Sequence, residues 1–277
     1  MDYLKLMRVK HYVKNLLIFV PVFFSKKIFD LSMISQVCLG FVCFSLISSA
    51  VYILNDIRDV EKDRKHPKKK NRPIASGKIN KLQAVFLMIM CILIPMTTGL
   101  FFLREGIIFL ILYLFLNMAY SMELKNYPII DVVLLTAGFV IRVLYGGVIA
   151  NVEVSEWLYL VIVSGALYMG FGKRRNELKQ QKNTRKVLKH YNDAFLDKNM
   201  YVAVALVIVF YSMWAIESIN PLMIWTVPFF MIILMKYSFD VEGNSDGDPV
   251  EVILQDKVLI LLILLYAICV FILLYFF

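Results

Sequence analysis

The chain has 277 residues, 60% of them apolar or aromatic and only 18% charged. Soluble domains sit near half apolar and a quarter charged, so this composition excludes both a water-soluble enzyme and a disordered tail. Thirty Lys and Arg against 21 Asp and Glu leave a formal net charge of +9. In a membrane protein that excess points to cytoplasmic loops beside anionic lipid, or to an anionic substrate, and not to nucleic acid.

A helix needs about 20 largely apolar residues to cross the hydrocarbon core. Nine segments qualify, at about 12–30, 33–54, 82–103, 106–122, 129–150, 156–172, 200–217, 220–237 and 257–276. The predicted fold is therefore all-α: a polytopic membrane protein of nine transmembrane helices, forming one integral-membrane domain over residues 1–277. With the N-terminus in the cytoplasm, 26 of the 30 Lys and Arg fall on the inner side, and Lys26, Lys27 and Arg104 on the outer. That asymmetry follows the positive-inside rule and puts the C-terminus outside. The long polar loops, 55–81, 173–199 and 238–256, are all inner, so chemistry is expected at the cytoplasmic face. No small-residue cleavage site follows Phe23 and Phe24, and the chain reads as mature protein. Cys38, Cys43, Cys91 and Cys269 all lie in apolar runs, which gives neither a disulfide framework nor a zinc site.

Where the chain enters the first span, Arg8, Lys10, His11, Lys14 and Asn15 lie on adjacent helical faces. They form either a snorkelling cluster or a phosphate-binding mouth led by Lys14 and Asn15. After the second span, Asp56, Asp59 and Asp63 fall at spacings of three and four, on one helical face flanked by Asn55. Stacked like charges need an offset, and Mg²⁺ supplies it, since that ion favours carboxylates together with substrate phosphates. The run then turns basic through Arg64, Lys65, Lys68, Lys69, Lys70 and Arg72, as a diphosphate substrate requires. His66 suits a phosphate hydrogen bond or plain exposure. Further on, Tyr120, Lys125 and Asp131 border the fourth and fifth spans. Arg142 lies inside the fifth, where it must pair with a buried carboxylate or meet a phosphate. Lys173, Arg174 and Glu177 follow Gly170 and Gly172 without forming a P-loop. Arg185–Lys189 reads as a membrane-surface segment. Asp240, Glu242, Asp246, Asp248 and Glu251 make the last inner loop acidic.

The stretch from Asn55 to Gly77, NDIRDVEKDRKHPKKKNRPIASG, resembles the UbiA superfamily of intramembrane prenyltransferases. Its extended form is most similar to the branch of decaprenyl-phosphate phosphoribosyltransferases. The resemblance continues through R8-x-K-H-Y-V-K-N15, Y120-S-x-x-L-K125 with Asp131, G172-K-R-x-x-E177 and D248-P-V-E251. It implies a bundle around a central cavity in a bacterial inner membrane, facing the cytoplasm, with a homo-oligomer compatible. It also implies Mg²⁺-dependent transfer of 5-phosphoribosyl from phosphoribosyl diphosphate to a polyprenyl phosphate. On that reading Asp56, Asp59, Asp63 and Asp131 are catalytic, and Asn55 joins the first three at the metal. Lys14, Asn15, Asn55, Arg64, His66, Lys69, Arg72, Tyr120, Lys125, Arg142, Lys173, Arg174 and Glu177 then bind substrate. Lys125 and Asp131 serve one substrate phosphate and the metal or ribose, unless they simply pair with each other. Lys173, Arg174 and Glu177 cap the donor, unless their charges only set topology. Aromatic prenyltransferases of the superfamily carry a second DxxxD pair here, but position 135 is Leu. That departure disfavours an aromatic acceptor with a prenyl diphosphate donor. A transporter would leave the acidic stripe beside the basic loop without a purpose.

Overall fold

The computed structural model describes residues 2–67, 69–179, 186–243 and 247–277, and every regular element among them is helical. Lys68, Arg185 and Asp246 lie outside the described residues. The chain begins with α1 (Asp2–Leu6), a 3-10 stretch Val9–Phe19 and α2 (Val20–Phe24). Then come α3 (Leu31–Arg58), α4 (Val60–Lys65), α5 (Lys81–Phe102), α6 (Ile107–Met122) and α7 (Ile130–Ile149). The chain closes with α8 (Glu156–Lys179), α9 (Asp193–Glu217), α10 (Thr226–Glu242), α11 (Pro249–Gln255) and α12 (Lys257–Tyr275).

The helix starts follow from short polar side chains just ahead of apolar runs. Asp30 accepts the Met33 N–H at 3.1 Å. Asn80 and Gln83 form a reciprocal capping box ahead of α5, with bonds of 2.8 and 3.1 Å. Asn192 caps α9 through Phe195, which starts that helix seven residues before the expected span.

Among the described residues, seven helical segments are long and apolar enough to cross a membrane: Leu31–Arg58, Lys81–Phe102, Arg104–Met122, Ile130–Ile149, Asp193–Glu217, Pro221–Glu242 and Lys257–Tyr275. The chain is an all-α polytopic membrane protein. Two of the nine expected spans are not among the seven. The first, 12–30, is split between the 3-10 stretch and the five residues of α2, and Lys26 then turns the chain at φ +60°. The sixth, 156–172, lies in α8, whose last turns carry Lys173, Arg174, Arg175, Glu177 and Lys179.

The chain divides into two compact units. The first comprises Met1–Val22, Lys27–Met122 and Ile141–Glu153. Its core joins Ile18 and Val22 to Phe44, Ile47, Leu110, Tyr113, Tyr145 and Ile149. Gly146 makes this packing possible, because a Cβ there would lie 2.0 Å from the Ile18 carbonyl oxygen. Backbone meets backbone at that point, as small residues permit between membrane helices. A second cluster of Leu6, Ala50, Ile53, Val60, Ile74 and Ile79 supports the loop after α4.

The second unit comprises Phe23–Lys26, Glu123–Val140 and Val154–Phe277. Its core is built from Val132, Tyr168, Leu196, Met200, Tyr237, Val252 and Leu259, with their neighbours. A Cβ on Gly170 would stand 2.9 Å from Val132 Cγ1. The bare glycine therefore lets α8 lie close against the start of α7, one turn before Arg174.

Candidate active site

In the first unit the acidic run does not continue as one straight helix. α3 ends at Arg58, Asp59 sits at φ −94° and ψ 10°, and α4 starts at Val60. The break undoes the expected three-acid stripe. Asp56 and Asp63 are buried, whereas Asp59 is about a third exposed, with Lys62 at 4.0 Å.

Asp56 and Asp63 are brought together by cations. Arg72 Nη1 donates to Asp56 Oδ1 at 3.0 Å and to Asp63 Oδ2 at 2.6 Å. Arg8 Nη2 donates to the same Asp56 Oδ1 at 2.6 Å. The Arg8 backbone is left-handed at φ 54°, and its guanidinium lies over the Tyr52 ring, 4.7 Å from the centroid. Arg72 reaches the acids because the chain turns back after α4. The turn is tied by Ser76 N–H to Arg72 O, Gly77 N–H to Ile74 O, and Ile79 N–H to Pro73 O. Gly77 takes φ +78°, which a side chain would resist.

Two buried carboxylate oxygens converging on one cationic nitrogen match the donor chemistry of a hard divalent ion. Among the described residues no three His, Cys, Asp or Glu side chains form a ready metal cage. The two carboxylates fit Mg²⁺ by their chemistry, with water or substrate oxygens as further ligands.

Other expected residues of this unit sit around that pair or apart from it. Arg64 turns away, to Glu61 at 3.1 Å and the Ala75 carbonyl at 3.3 Å. His66 Nδ1 accepts the Lys69 N–H at 3.3 Å and so closes the loop turn. Lys69 is exposed, while Lys14 and Tyr120 are half-buried. Asn15 is fully buried: its amide donates to Ser45 Oγ at 2.9 Å, and its Oδ1 accepts from Arg142 Nε at 2.8 Å. Arg142 also donates to Tyr113 Oη at 3.0 Å and lies against the Phe44 and Tyr113 rings. An amide oxygen, a phenol and two aromatic faces thus hold this intramembrane arginine in place.

The second unit holds a separate polar cluster. Asp131 has no exposed surface. Its Oδ2 accepts from Arg174 Nε, and its Oδ1 accepts from the Tyr191 hydroxyl at 2.6 Å. Arg174 is equally buried and donates to Glu177 Oε2 at 2.6 Å. The sequence offers Lys125 as the partner of Asp131, but the structure supplies Arg174, because Gly170 brings the two helices together. Lys125 sits half-buried in a 3-10 turn, Leu124–Asn126. Burial, and next the bond to Asp131, pushes the Tyr191 hydroxyl well above the ordinary phenol range, so it remains a proton donor at neutral pH.

The last acidic loop docks on the same stretch of α8. Lys173 Nζ lies 3.2 Å from Asp248 Oδ2, and Asp248 Oδ1 caps α11 through Val250 N–H. Gly247 takes φ +72°, and a Cβ there would be 3.0 Å from Asn176 Cβ. Arg175 pairs with Asp197 and lies 3.9 Å from Glu242, so it ties helices together.

Nothing in the sequence around Tyr191 marks it, and its partner Asp131 is sixty residues away. Arg8 was visible only as one of five polar residues in its element, and its pairing with Asp56 was not. A cation matching each buried acid was the available signal, since a carboxylate at such depth must be paired.

Residues 17–252 match the UbiA prenyltransferase family. The chain is 34% identical to the decaprenyl-phosphate phosphoribosyltransferase of Corynebacterium glutamicum, over 96% of this chain and 85% of that protein. It is 31% identical to the enzyme of the same name from Mycolicibacterium smegmatis, over 94% and 88%. Among solved structures, a UbiA homolog from Archaeoglobus fulgidus bound to GPP and Mg²⁺ superposes with a TM-score of 0.75. That likeness covers 98% of this chain and 99% of the other at 17% identity, and so speaks to the fold alone. The chain belongs to the UbiA prenyltransferase family.

Proposed function

We propose that this protein transfers the 5-phosphoribosyl group of phosphoribosyl diphosphate to a polyprenyl phosphate in the bilayer, with Mg²⁺, releasing diphosphate. The observation that carries this reading is the likeness, over 96% of the chain, to an enzyme named for that activity. The convergence of Asp56 and Asp63 on Arg72 supports it, because carboxylates beside arginines suit a metal-bound diphosphate.

In this reading an oxygen of the lipid phosphate attacks ribose C1 while the bond from C1 to the diphosphate oxygen breaks. The electron pair leaves with the diphosphate. The nucleophile is already an anion, so no side chain need act as a strong base. Asp56 and Asp63, with Asn55 and Asp59, would hold Mg²⁺, which when bound would neutralise charge growing on the leaving group. Arg8 and Arg72 neutralise the remaining diphosphate charge, with Lys14, His66 and Lys69 as further cationic or donor groups. Arg174 and Lys173 serve the phosphoribosyl donor, oriented by Asp131, Glu177 and Asp248. Positioning and electrostatics account for most of the acceleration.

The chain acts as one transferase domain in a bacterial inner membrane. Its nine crossings are the seven apolar helices, the segment 12–30 and the first part of α8. The reacting face is cytoplasmic, where the excess of Lys and Arg lies.

Purified protein in nanodiscs, given labelled phosphoribosyl diphosphate, polyprenyl phosphate and Mg²⁺, should yield a labelled lipid phosphate and free diphosphate. Absence of that product, with transfer from a prenyl diphosphate to an aromatic acid instead, would overturn the reading in favour of an aromatic prenyltransferase.

A further inference from the structure

Tyr191 lies in none of the motifs read from the sequence, yet it meets the most deeply buried acid of the second unit. It follows a short 3-10 turn, Lys186–His190, anchored by the buried Val187 and Leu188. Its ring stacks on Phe195 at 5.8 Å, which leaves the hydroxyl as the only group with a choice of partner. That hydroxyl accepts the Ile129 N–H at 2.6 Å and meets Asp131 Oδ1 at 2.6 Å. An amide N–H can only donate, so the phenolic hydrogen is directed to the carboxylate.

Two consequences follow. First, the Asp131 carboxylate cannot turn about its Cβ–Cγ bond. Oδ1 is held by Tyr191, and Oδ2 therefore faces Arg174 Nε. Second, the same hydroxyl steadies an unfavourable backbone. Ile129 sits at φ +69°, where a β-branched residue is a genuine outlier, kept only when its surroundings over-determine it.

We propose that Tyr191 is a positioning residue for the transferase reaction: through its hydrogen bond to Asp131 it fixes the seat of Arg174, and thereby the fit of the phosphoribosyl donor. The proposal rests on the reading that Arg174 serves that donor. It predicts a selective effect. Loss of the hydroxyl leaves the ring stack and the lipid-facing helices in place, but frees the carboxylate and lets Arg174 re-seat.

The test uses the full chain in nanodiscs. A hydrogen bond to a charged group is worth about 10-fold or more in an equilibrium. Tyr191→Phe is therefore expected to raise both KM and Kd for phosphoribosyl diphosphate by about 10-fold, while KM for polyprenyl phosphate stays where it was. Adding Tyr191→Phe to Asp131→Asn should cost nothing further, because the two act as one unit. Equal loss for both substrates, or additive losses in the double variant, would overturn the proposal. If Tyr191→Phe folds poorly, Ile129→Gly is added, since glycine takes a positive φ freely. The raised donor KM should persist in that background. If Ile129→Gly instead restores it, Tyr191 acts only on the turn and the proposal fails. An inactive wild type would count against the proposed function, whereas an active wild type with an indifferent Tyr191→Phe counts against this inference alone.

Discussion

Arg72→Met is the most informative single change in the first unit. Arg72 is the ion-pair partner of Asp63 among the described residues, while Asp56 also keeps Arg8. Breaking a fully buried pair costs about 3–5 kcal/mol, and an exposed pair is worth about 0–1. The Arg72 side chain is 27% exposed and its acids 3% and 5%. The loss therefore falls between those limits, at about 2 kcal/mol, or roughly 30-fold in the unfolding equilibrium. The sign should depend on metal. In EDTA the variant leaves Asp63 without its arginine while Asp56 keeps Arg8, and its thermal midpoint in detergent should drop by several degrees. Mg²⁺ should then raise the variant's midpoint more than the wild type's, because Arg72 no longer competes for either acid. Midpoints measured across a Mg²⁺ titration, for both proteins, provide the comparison. A variant as stable as wild type in EDTA would refute the pairing argument. One that loses stability but ignores Mg²⁺ would refute the two-carboxylate metal site.

Other expectations can be checked on the same preparation. Asp59→Asn should lower turnover by about 100-fold while leaving the thermal midpoint unchanged, because Asp59 is partly exposed and its ion pair among the described residues is the loose one to Lys62. Asp56→Asn should lower both, since it strips a buried charge from beside Arg8 and Arg72. Gly146→Ala should destabilise the first unit by about 2 kcal/mol or more, read as loss of folded yield and midpoint, because its Cβ meets a backbone oxygen that cannot swing away. Asp256 bridges to Lys236 at 2.6 Å and caps α12, and the Lys236 hydrogen bond holds its carboxyl below the usual range. Its folded pKa is lowered, so its contribution is present above the ordinary carboxylate pKa and is lost as pH falls through the lowered value. Asp256→Asn should therefore flatten the acid limb of a stability-against-pH curve.

Helices were legible in this sequence wherever apolar runs approached 20 residues and a cap preceded them, as at Asp30–Leu31, Asn80–Lys81 and Asp256–Lys257. The first expected span, 12–30, was less so, because length and hydropathy do not separate a 3-10 stretch from an α-helix. The break at Asp59 had no Gly or Pro to announce it, and a stripe drawn at spacings of three and four ignored it. The acids themselves were legible, being costly in an apolar chain, whereas their partners were not. Arg8 and Asp56 are 48 residues apart, Asp131 and Arg174 are 43, and Asp131 and Tyr191 are 60. Such pairs depend on which helices lie side by side, and local pattern carries no information about that. Gly170 shows the gap well. It was visible as a glycine, but the approach of Val132 that makes it necessary arises only in the folded chain.

The pairing of each buried acid with an arginine has an electrostatic logic beyond stability. A carboxylate or guanidinium moved alone into a low-dielectric interior loses several kcal/mol of solvation even after relaxation. Asp56 and Asp63 with Arg8 and Arg72 form a formally neutral set, in which each charge has an opposite partner within hydrogen-bond distance. The mixed set also suits the proposed ligand. Phosphoribosyl diphosphate carries more negative charge than one Mg²⁺ cancels, so on the proposed reading the set would receive both by exchanging partners: carboxylates to metal, guanidinium to the remaining phosphate charge. A site built of acids alone would repel the diphosphate until metal arrived, and one built of arginines alone would offer the metal no ligands. Interleaving Asp56 on α3 and Asp63 on α4 with Arg8, just ahead of the 3-10 stretch, and Arg72, in the loop after α4, avoids both failures. On the proposed reading, the arginines of this unit therefore belong to the reacting apparatus as much as the aspartates do.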